Sequence, residues 1–497
     1  MPPSTLACEG NRRSRLSGRA DPQRRVKCGE SLRDIPPAAV ACRRPLSPGI
    51  VAGCLLLLIV IAPANFTIHA ADNSDGSVLL YTTAKGYDPL AWVHGADRFT
   101  SDAAIFVRDQ KGQHRLVPAF AASADAAVSF DGHSVLFAGK AHAGDPWQIW
   151  EVALQGGDLR RLTSGSEDCI RPFYLPDGRI VYARKTEGRF VIESVDLAGR
   201  KPLALTYSPA STLPTDILRD GRILFEAGHP LGTDSTPEIY TVYSDGSGVE
   251  SYRCDHGKAR HSGRQSASGD IVFASTKGLS RFTSARSQEI QMPAPAGEYA
   301  GDVAETADGD LLLSWRADAK APFQLMRWSP GASQLQAIHA EPAANVLQPV
   351  LPAPRTVPNR HPSGLHDWPN ANLLCLNAYT SKYEFAPGSI HSVRLYTRDA
   401  GGNATLLGSA PVERDGSFFV QVPTEQPLQI ELLDEEDKTL KREAGFFWMR
   451  RGEQRGCVGC HAGPETAPEN AVPMILLRST TPADMTGASA QSASGGH

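Results

Sequence analysis

The sequence predicts a mainly β chain: a six-bladed β-propeller followed by a small β-sandwich-like domain. Three observations support this fold class. A unit of roughly 43 residues recurs through the middle of the chain, which is typical of blade and solenoid architectures. Apolar residues alternate along short segments, as they do in strands that bury one face. Glycine and proline are abundant, at 45 and 37 of 497 residues, which favours turns over helices.

Each repeat combines a tight turn with a short apolar strand. An Asp-Gly dipeptide supplies the positive φ angles that a two-residue hairpin needs, and the apolar residues after it bury one face of the strand. These turns lie at Asp131–Gly132, Asp177–Gly178, Asp220–Gly221 and Asp308–Gly309, with Ser268–Asp270 in the same position of another repeat. Second strands are predicted at 148–152, 191–195, 238–242 and 324–328. Counting residues 78–117, which lack this turn, gives six blades between residues 77 and 338, and blades arranged in a ring protect their sheet edges.

The sequence after the repeats predicts a connector and a second β domain. Residues 339–362 are rich in proline and have no periodicity, which indicates a semi-rigid linker. An aromatic strand is expected at 446–449. Residues 478–497 are rich in small polar residues and are predicted to be disordered. Alternating apolar residues predict the strands of a small sandwich within residues 363–477, at 373–376, 389–396, 417–422 and 428–433.

The first 71 residues have the composition of an export signal. They hold ten Arg and Lys residues against four Asp and Glu, whereas the rest of the chain is acidic. The apolar run from Ile50 to Ala62 follows Arg43 and Arg44 and is too short to span a bilayer comfortably. We therefore predict a basic leader and signal peptide, cleaved near Ala70, and a periplasmic or other extracytoplasmic location. A retained N-terminal anchor and a start codon placed too far upstream are the alternatives.

The sequence Cys457-Val458-Gly459-Cys460-His461 carries the clearest chemical signal. Cys-x-x-Cys-His is the attachment signature of a c-type haem, in which two thiols bond to the porphyrin and the histidine binds the iron. Cys457 and Cys460 are the predicted anchors of one covalent haem c, and His461 is the predicted axial ligand. A zinc site can use the same side chains but needs a fourth ligand, and a thioredoxin-like dithiol needs a βαβ setting. Both remain open as alternatives.

The chain after the motif is too short to enclose a haem. Only 36 residues follow His461, so the haem has to pack against the β domain, the propeller or a partner protein. The distal iron position is either open or filled by Met449, Met474 or a histidine. A second polar cluster contains Cys254 and His256, with His261 nearby, in a predicted loop between blades. It is a candidate metal-ligand set or wall of the haem pocket, and a polar loop around a half-buried cysteine is the alternative.

A family resemblance covers the last third of the chain. The segments that carry it are 374–379, 415–420, 428–434, 455–461, 467–470 and 472–473. With these segments, residues 363–477 resemble the middle domain of the hydrazine synthase alpha subunit family, and the preceding repeats resemble TolB-like propellers. The resemblance implies a fold of propeller plus middle domain in an extracytoplasmic, multihaem enzyme complex that joins nitric oxide and ammonium.

The sequence departs from that family at the residues that matter for catalysis. The resemblance implies two haem motifs, whereas this chain contains a single Cys-x-x-Cys-His motif. It also implies a tyrosine iron ligand four residues after the motif, with the motif histidine bound to zinc. Glu465 stands at that position, so it becomes a candidate ligand, ordinary ligation by His461 is expected, and hydrazine synthesis is not. A propeller cysteine bonded to the active haem is also implied, and Cys254 is its candidate here.

These observations predict an exported monohaem c-type protein with the haem at the junction of propeller and β domain. A filled distal position suits electron transfer with a redox partner protein, and an open one suits a haem-dependent oxidoreductase acting on a small nitrogen or oxygen ligand. The alternative is a propeller binding or scaffold module with an accessory haem or zinc site. The acidic body without a basic stripe argues against nucleic acid, and no membrane contact is expected beyond an uncleaved anchor. The chain has no Gly-x-Ser-x-Gly elbow, which argues against an α/β hydrolase.

Overall fold

The computed structural model describes residues 78–100, 102–228, 236–253, 255–399, 402–459 and 470–487. The predicted leader and its cleavage site lie outside the described residues. These described residues belong to one compact unit. Within the described ranges the structure is mainly β, as predicted, and none of its helices has the length and apolarity needed to cross a bilayer.

Six antiparallel sheets follow one another along the first part of the described chain, and a 3-10 helix at Ala91–His94 interrupts the first of them. The strands, sheet by sheet, are β1 (Leu79–Ala84), β2 (Ala104–Asp109) and β3 (Gly112–Arg115); β4 (Ala122–Val128), β5 (Ser134–Lys140), β6 (Gln148–Ala153) and β7 (Arg160–Arg161); β8 (Cys169–Tyr174), β9 (Arg179–Thr186), β10 (Arg189–Asp196) and β11 (Leu203–Ala204); β12 (Thr212–Ile217), β13 (Ile223–Ala227), β14 (Glu238–Val242) and β15 (Glu250–Ser251); β16 (Arg260–Gln265), β17 (Ile271–Ser275), β18 (Gly278–Phe282) and β19 (Ile290–Gln291); and β20 (Glu298–Tyr299), β21 (Ala304–Glu305), β22 (Leu311–Arg316), β23 (Gln324–Trp328) and β24 (Gln336–His339).

These sheets are the blades of a β-propeller. The first strands of successive sheets contact each other, from β4 through β8 and β12 to β16, as neighbouring blades do around a propeller axis. The predicted Asp-Gly turns directly precede the apolar strands β5, β9, β13 and β22, as the sequence predicts. Gly221, for example, has a φ of 85° and lies so close to Asn359 that a Cβ atom there would be 1.9 Å from the Asn359 carbonyl oxygen. Glycine is required at such a position because a side chain would meet backbone.

The first blade is completed from the far end of the propeller segment. Strand β25 (Asn345–Val350) pairs antiparallel with β1, and Val346 and Leu347 are buried. This corrects the predicted boundary of the proline-rich linker, because residues 345–350 belong to a sheet. Pro349 hid the strand from the sequence pattern. A proline is tolerated there because β25 is the end strand of its sheet, with β1 as its neighbour.

A buried ionic cluster lies where the inner strands carry β-bulges. A bulge turns a side chain away from the regular alternation, which brings polar groups into the centre of the propeller. Arg171 Nη1 donates to Asp302 Oδ2 at 2.9 Å, and Arg98 Nη2 donates to Asp125 at 2.6 Å. Burial raises the pKa of Glu226 to about 7, although Arg171 and the Ser262 N–H lower it. The non-glycine residues with positive φ in this region are Asp125, Arg171, Ser262, Asp302 and Gln348.

The segment after β25 is bound to the propeller as a strap. The Arg355 N–H donates to the Phe130 carbonyl at 2.8 Å, and the Asn359 N–H donates to the Arg219 carbonyl at 3.0 Å. The His361 ring stacks on Tyr243 with 3.7 Å between ring centroids. The proline-rich residues that the sequence predicts as a spacer therefore lie along the turns of two blades.

The C-terminal β module contains two four-stranded sheets, in the orders β32-β26-β29-β33 and β28-β27-β30-β31. Both sheets contribute to one apolar core, which is the arrangement of the predicted sandwich. The elements are β26 (Ala371–Cys375), β27 (Ser392–Arg398), β28 (Ala404–Pro411), β29 (Phe418–Val422), β30 (Leu428–Leu433), β31 (Thr439–Arg442), β32 (Gln454–Cys457), a short helix α1 (Met474–Arg478) and β33 (Ala483–Asp484).

Two expectations for this module need correction. The aromatic strand expected at 446–449 is irregular chain with one isolated bridge, between Phe447 and Leu428. Its regularity is lost because Trp448 packs toward the propeller while Met449 packs into the module core. The tail predicted to be disordered from residue 478 contains β33, which pairs parallel with β29, and Met485, which is buried in the module core. The pairing with β29 and the burial of Met485 both involve residues far away in the chain, so the polar composition of the segment does not reveal them.

Candidate functional site

The module is docked on the propeller through Trp448 and Arg450. The Trp448 ring lies in the propeller core, with its centroid 6.2 Å from that of Phe225. Arg450 Nη1 donates to the Ala204 carbonyl at 3.2 Å and to the Tyr207 hydroxyl. These contacts fix the surface of the module that faces the third and fourth blades.

A cavity of about 300 Å³ lies beside this contact, with walls from both domains. The propeller side is polar, and the module side is mostly apolar. The propeller contributes residues of β14 and β15 and of the loop that follows, whereas the module contributes β26, β30, β32 and the irregular segment before β32. The residues that line it include Tyr240, Val249, Glu250, His256, Leu373, Ile430, Glu443, Phe446, Phe447, Arg455 and Cys457.

Cys457 ends β32 at the cavity wall. Strand β32 runs parallel to β26, and the register places Cys457 opposite Cys375. A hydrogen bond between the two thiols lowers the pKa of Cys457, against the opposing effect of burial. Cys457, the first cysteine of the predicted haem motif, therefore lies on the cavity wall, at the end of the edge strand of its sheet.

His256 lies on the propeller side, between two carboxylates. Its Nδ1 is 2.6 Å from Glu238 Oε2, and its Nε2 is 3.5 Å from Glu443 Oε1. Burial lowers the pKa of His256, but the hydrogen bonds to Glu238 and Glu443 outweigh it and raise the pKa to about 9. An imidazolium donates from both nitrogens and offers no lone pair to a metal. The geometry thus favours a proton-donating, charged wall at this position over an iron ligand.

The module side offers apolar side chains to a flat ligand. Phe446, Phe447, Leu373 and Ile430 line the cavity on the module side, and Val249 lines it on the propeller side. Arg455 also lines the cavity and pairs with Glu453 through Nε at 2.9 Å. Apolar walls with a few placed polar groups are typical of cofactor sites.

The structure brings together some of the predicted site residues and separates others. His256 and Cys457 line the same cavity. Met449 is buried in the module core and Met474 lies on α1, 39% exposed, so neither is among the described residues that line the cavity. His261 belongs to β16 and faces the buried ionic cluster, where burial lowers its pKa to about 4. The remaining predicted residues, Cys254, Cys460, His461 and Glu465, lie outside the described residues.

Several residues of the site carry no signal in the sequence. Glu238 begins a predicted strand, Glu443 follows β31, which the sequence did not predict, and neither stands near a histidine along the chain. Cys375 lies 82 positions before Cys457 and meets it only through strand pairing. Within the described ranges, no group of three or more His, Cys, Asp or Glu side chains is arranged to hold a metal ion.

Comparisons with known proteins support the relationship suggested by the sequence. Residues 389–462 match the family model described as hydrazine synthase alpha subunit middle domain. The fold is similar to that of hydrazine synthase from Kuenenia stuttgartiensis, with a TM-score of 0.70 and 16% identity over 81% of this chain and 71% of that chain.

Further matches cover the propeller. TolB from Acinetobacter baumannii matches with a TM-score of 0.42 and 15% identity over 56% of this chain and 67% of that chain. A chain of the nidogen/laminin complex matches with a TM-score of 0.40 and 12% identity over 56% of this chain and 100% of that chain. A search of curated proteins finds no match. The family resemblance is therefore confirmed: residues 389–462 match the model of the hydrazine synthase alpha subunit middle domain, and a β-propeller precedes them.

Proposed function

We propose that this protein is an exported monohaem c-type redox protein of nitrogen metabolism, with its haem in the cavity between propeller and module. One observation carries the proposal: Cys457, the first cysteine of the Cys-x-x-Cys-His motif, lies on the wall of that cavity. The family match at residues 389–462 supports the nitrogen-metabolism part, because the matched domain belongs to hydrazine synthase.

The residues of the cavity fit a haem. Phe446, Phe447 and Leu373 provide apolar surface for a macrocycle, and Arg455 provides positive charge for its carboxylates. Cys457 and Cys460 would hold the porphyrin covalently, and His461 would ligate the iron. A haem bound in this way supplies one-electron chemistry and a coordination position for a small ligand.

The propeller wall would supply a proton. His256 lines the cavity between Glu238 and Glu443, so its imidazolium is held in place at neutral pH. The two carboxylates offset the positive charge of the imidazolium, so this wall has no excess charge that would attract an anion. This arrangement suits a neutral polar or cationic nitrogen ligand better than an anionic one.

A pyridine haemochrome spectrum tests covalent haem. The full-length chain is produced with a haem-attachment system, and the variants Cys457→Ser and Cys460→Ser are compared with Cys169→Ser, which alters a buried propeller cysteine far from the motif in the chain. We expect c-type bands and one haem mass in the parent and in Cys169→Ser, and loss of covalent haem in the other two. Absence of c-type bands in the parent, with zinc recovered at one equivalent, would assign the motif to zinc and overturn the proposal.

The position of the haem is tested by filling the cavity. Ile430→Trp places a large ring in the cavity, and Leu406→Trp adds the same ring on exposed strand β28. Haem content should fall several-fold in the first variant and stay at the parent level in the second. Equal haem content in both variants would place the haem elsewhere.

Ligand binding separates the two redox functions. Cyanide and nitric oxide are added to the oxidised and reduced protein, and the Soret band is recorded. A shift indicates an open distal position and supports chemistry on a small ligand. An unchanged Soret band with reversible one-electron reduction supports electron transfer to a partner protein.

A further inference from the structure

Cys375 and Cys457 form a thiol pair across two parallel strands. The register of β26 and β32 places them directly opposite each other, and their side chains are hydrogen bonded. Both side chains contact the same apolar core, so they lie on the same face of the sheet. The pair is therefore formed by strand pairing, and the separation of the two cysteines along the sequence does not predict it.

The geometry of this pair is compatible with a disulfide. Neighbouring strands in a sheet are about 4.8 Å apart, so two residues in register have Cα atoms close to that separation. Disulfides join cysteines whose Cα atoms are roughly 4.4–6.8 Å apart. The adjacent residue is held in register as well, because the Leu376 N–H donates to the Cys457 carbonyl at 2.8 Å. Bridging the two sulfurs requires side-chain rotation without a change in strand pairing.

The two thiols differ in access. Cys457 lines the cavity, whereas Cys375 is 1% exposed and lies behind it in the module core. An external reagent of modest size reaches Cys457 first, and Cys375 is placed to react only with Cys457. This is the arrangement of an attacking thiol backed by a resolving thiol.

We propose that Cys375 and Cys457 form a reversible disulfide that withdraws Cys457 from porphyrin attachment, so that haem loading of this module depends on thiol redox state. The disulfide itself is inferred from strand register and side-chain contact. The effect on haem loading rests on the proposed function.

The reaction requires a disulfide donor as oxidant. The Cys457 thiolate attacks one sulfur of the donor, the donor S–S bond breaks, and the first donor thiol leaves. The Cys375 thiolate then attacks the Cys457 sulfur, forms the Cys375–Cys457 bond and releases the second donor thiol. Two protein thiols lose two electrons and two protons, and the donor disulfide gains them. A dithiol reductant reverses both steps.

Disulfide mapping tests the first part. The full-length chain, made without a haem-attachment system, is incubated with oxidised glutathione, alkylated, digested without reduction and examined by mass spectrometry. We expect a cross-linked peptide pair containing Cys375 and Cys457 as the main product, abolished by dithiothreitol. Cys169→Ser should give the same product. A Cys457–Cys460 bond as the main product, or Cys375 that is alkylated only after denaturation, would overturn the proposal.

Haem loading tests the second part. The parent and Cys375→Ser are exposed to oxidised glutathione and then to a haem-attachment system, after circular dichroism has shown that both are folded. Oxidation should lower haem loading of the parent at least fivefold, and dithiothreitol should restore it, while Cys375→Ser should be less sensitive. Equal sensitivity of both proteins would overturn the effect on loading. If neither takes up haem under reducing conditions the proposed function fails, and the peptide map still decides the disulfide.

Discussion

Glu226 shows what burial does to a single ionisable residue in this fold. Its carboxyl lies in the ionic cluster at the propeller centre, near Arg171 and Asp302, and accepts the Ser262 N–H. Burial removes the water that would solvate a negative charge, and the existing charge of Asp302 adds repulsion. Arg171 compensates only in part. The protonated form of Glu226 is therefore favoured in the folded chain up to about pH 7.

We expect this residue to make stability depend on pH. The pKa of Glu226 rises from 4.5 to about 7 on folding, so its contribution is fully favourable below pH 4.5 and is lost as the pH rises through 7. In urea unfolding, the parent should lose about 3 kcal/mol of its free energy of unfolding, relative to Glu226→Gln, between pH 4.5 and 7. Glu187→Gln alters an exposed side chain and serves as control. A difference between Glu226→Gln and the parent that is constant over this range would contradict the expectation.

The Arg171–Asp302 pair should be sensitive to the loss of one partner. Both side chains are 3% exposed, and Arg171 Nη1 donates to Asp302 Oδ2 at 2.9 Å. Asp302→Asn removes the nearer charge partner of a buried guanidinium and leaves only the Asp125 carboxylate at 3.9 Å, which should cost about 3–5 kcal/mol in the free energy of unfolding. Asp308→Asn, at an exposed turn, should change it by less than about 0.5 kcal/mol. Similar effects in urea unfolding would indicate that the cluster is solvated.

At the scale of elements, β25 determines how the propeller is completed. The strand brings residues 345–350 to β1, so the first blade is built from both ends of the propeller segment. The Asn345 side chain accepts the Phe323 N–H at 3.0 Å and donates to the Ala84 carbonyl at 3.1 Å. The end of the propeller is thereby tied to its beginning by side-chain as well as backbone contacts.

A core substitution in β25 distinguishes a propeller strand from a linker. Leu347 is fully buried in the propeller core, so Leu347→Ala should lower the free energy of unfolding by about 2–5 kcal/mol. Val357→Ala removes apolar volume from a residue that is 53% exposed in the strap and should cost less than about 0.5 kcal/mol. Urea unfolding of both variants provides the measurement. A small effect for Leu347→Ala would indicate that residues 345–350 belong to the linker and not to a propeller strand.

The sequence was informative where local chemistry decides structure and silent where distant residues meet. Asp-Gly turns and alternating strands predict the hairpins of the blades because both signals act over a few residues. The sequence did not predict strand β25 or the burial of Met485, because their partners, β1 and the module core, lie far away in the chain. The same reason hides Cys375 and Glu443 from site prediction, whereas Cys457 was found through a motif of consecutive residues.

At the scale of the whole molecule, Trp448 joins the two domains. Its ring is buried among propeller residues, although the residues on either side of it belong to the module. Trp448→Ala should therefore cost about 3–5 kcal/mol and separate the unfolding of propeller and module into two calorimetric transitions. Trp368→Ala, at a ring that is 51% exposed, should leave one transition. A single transition in Trp448→Ala would mean that other contacts suffice to couple the domains.

A cavity with walls from two domains also makes ligand retention a property of the domain contact. Whatever binds the assembled walls more tightly than the separated ones adds to the free energy that holds the domains together. Thermodynamic reciprocity then requires that each contact that stabilises the docking of the module on the propeller also raises the affinity of the cavity for its ligand. Arg450, whose guanidinium donates to the Ala204 carbonyl, should in this way slow the escape of a ligand that it does not contact.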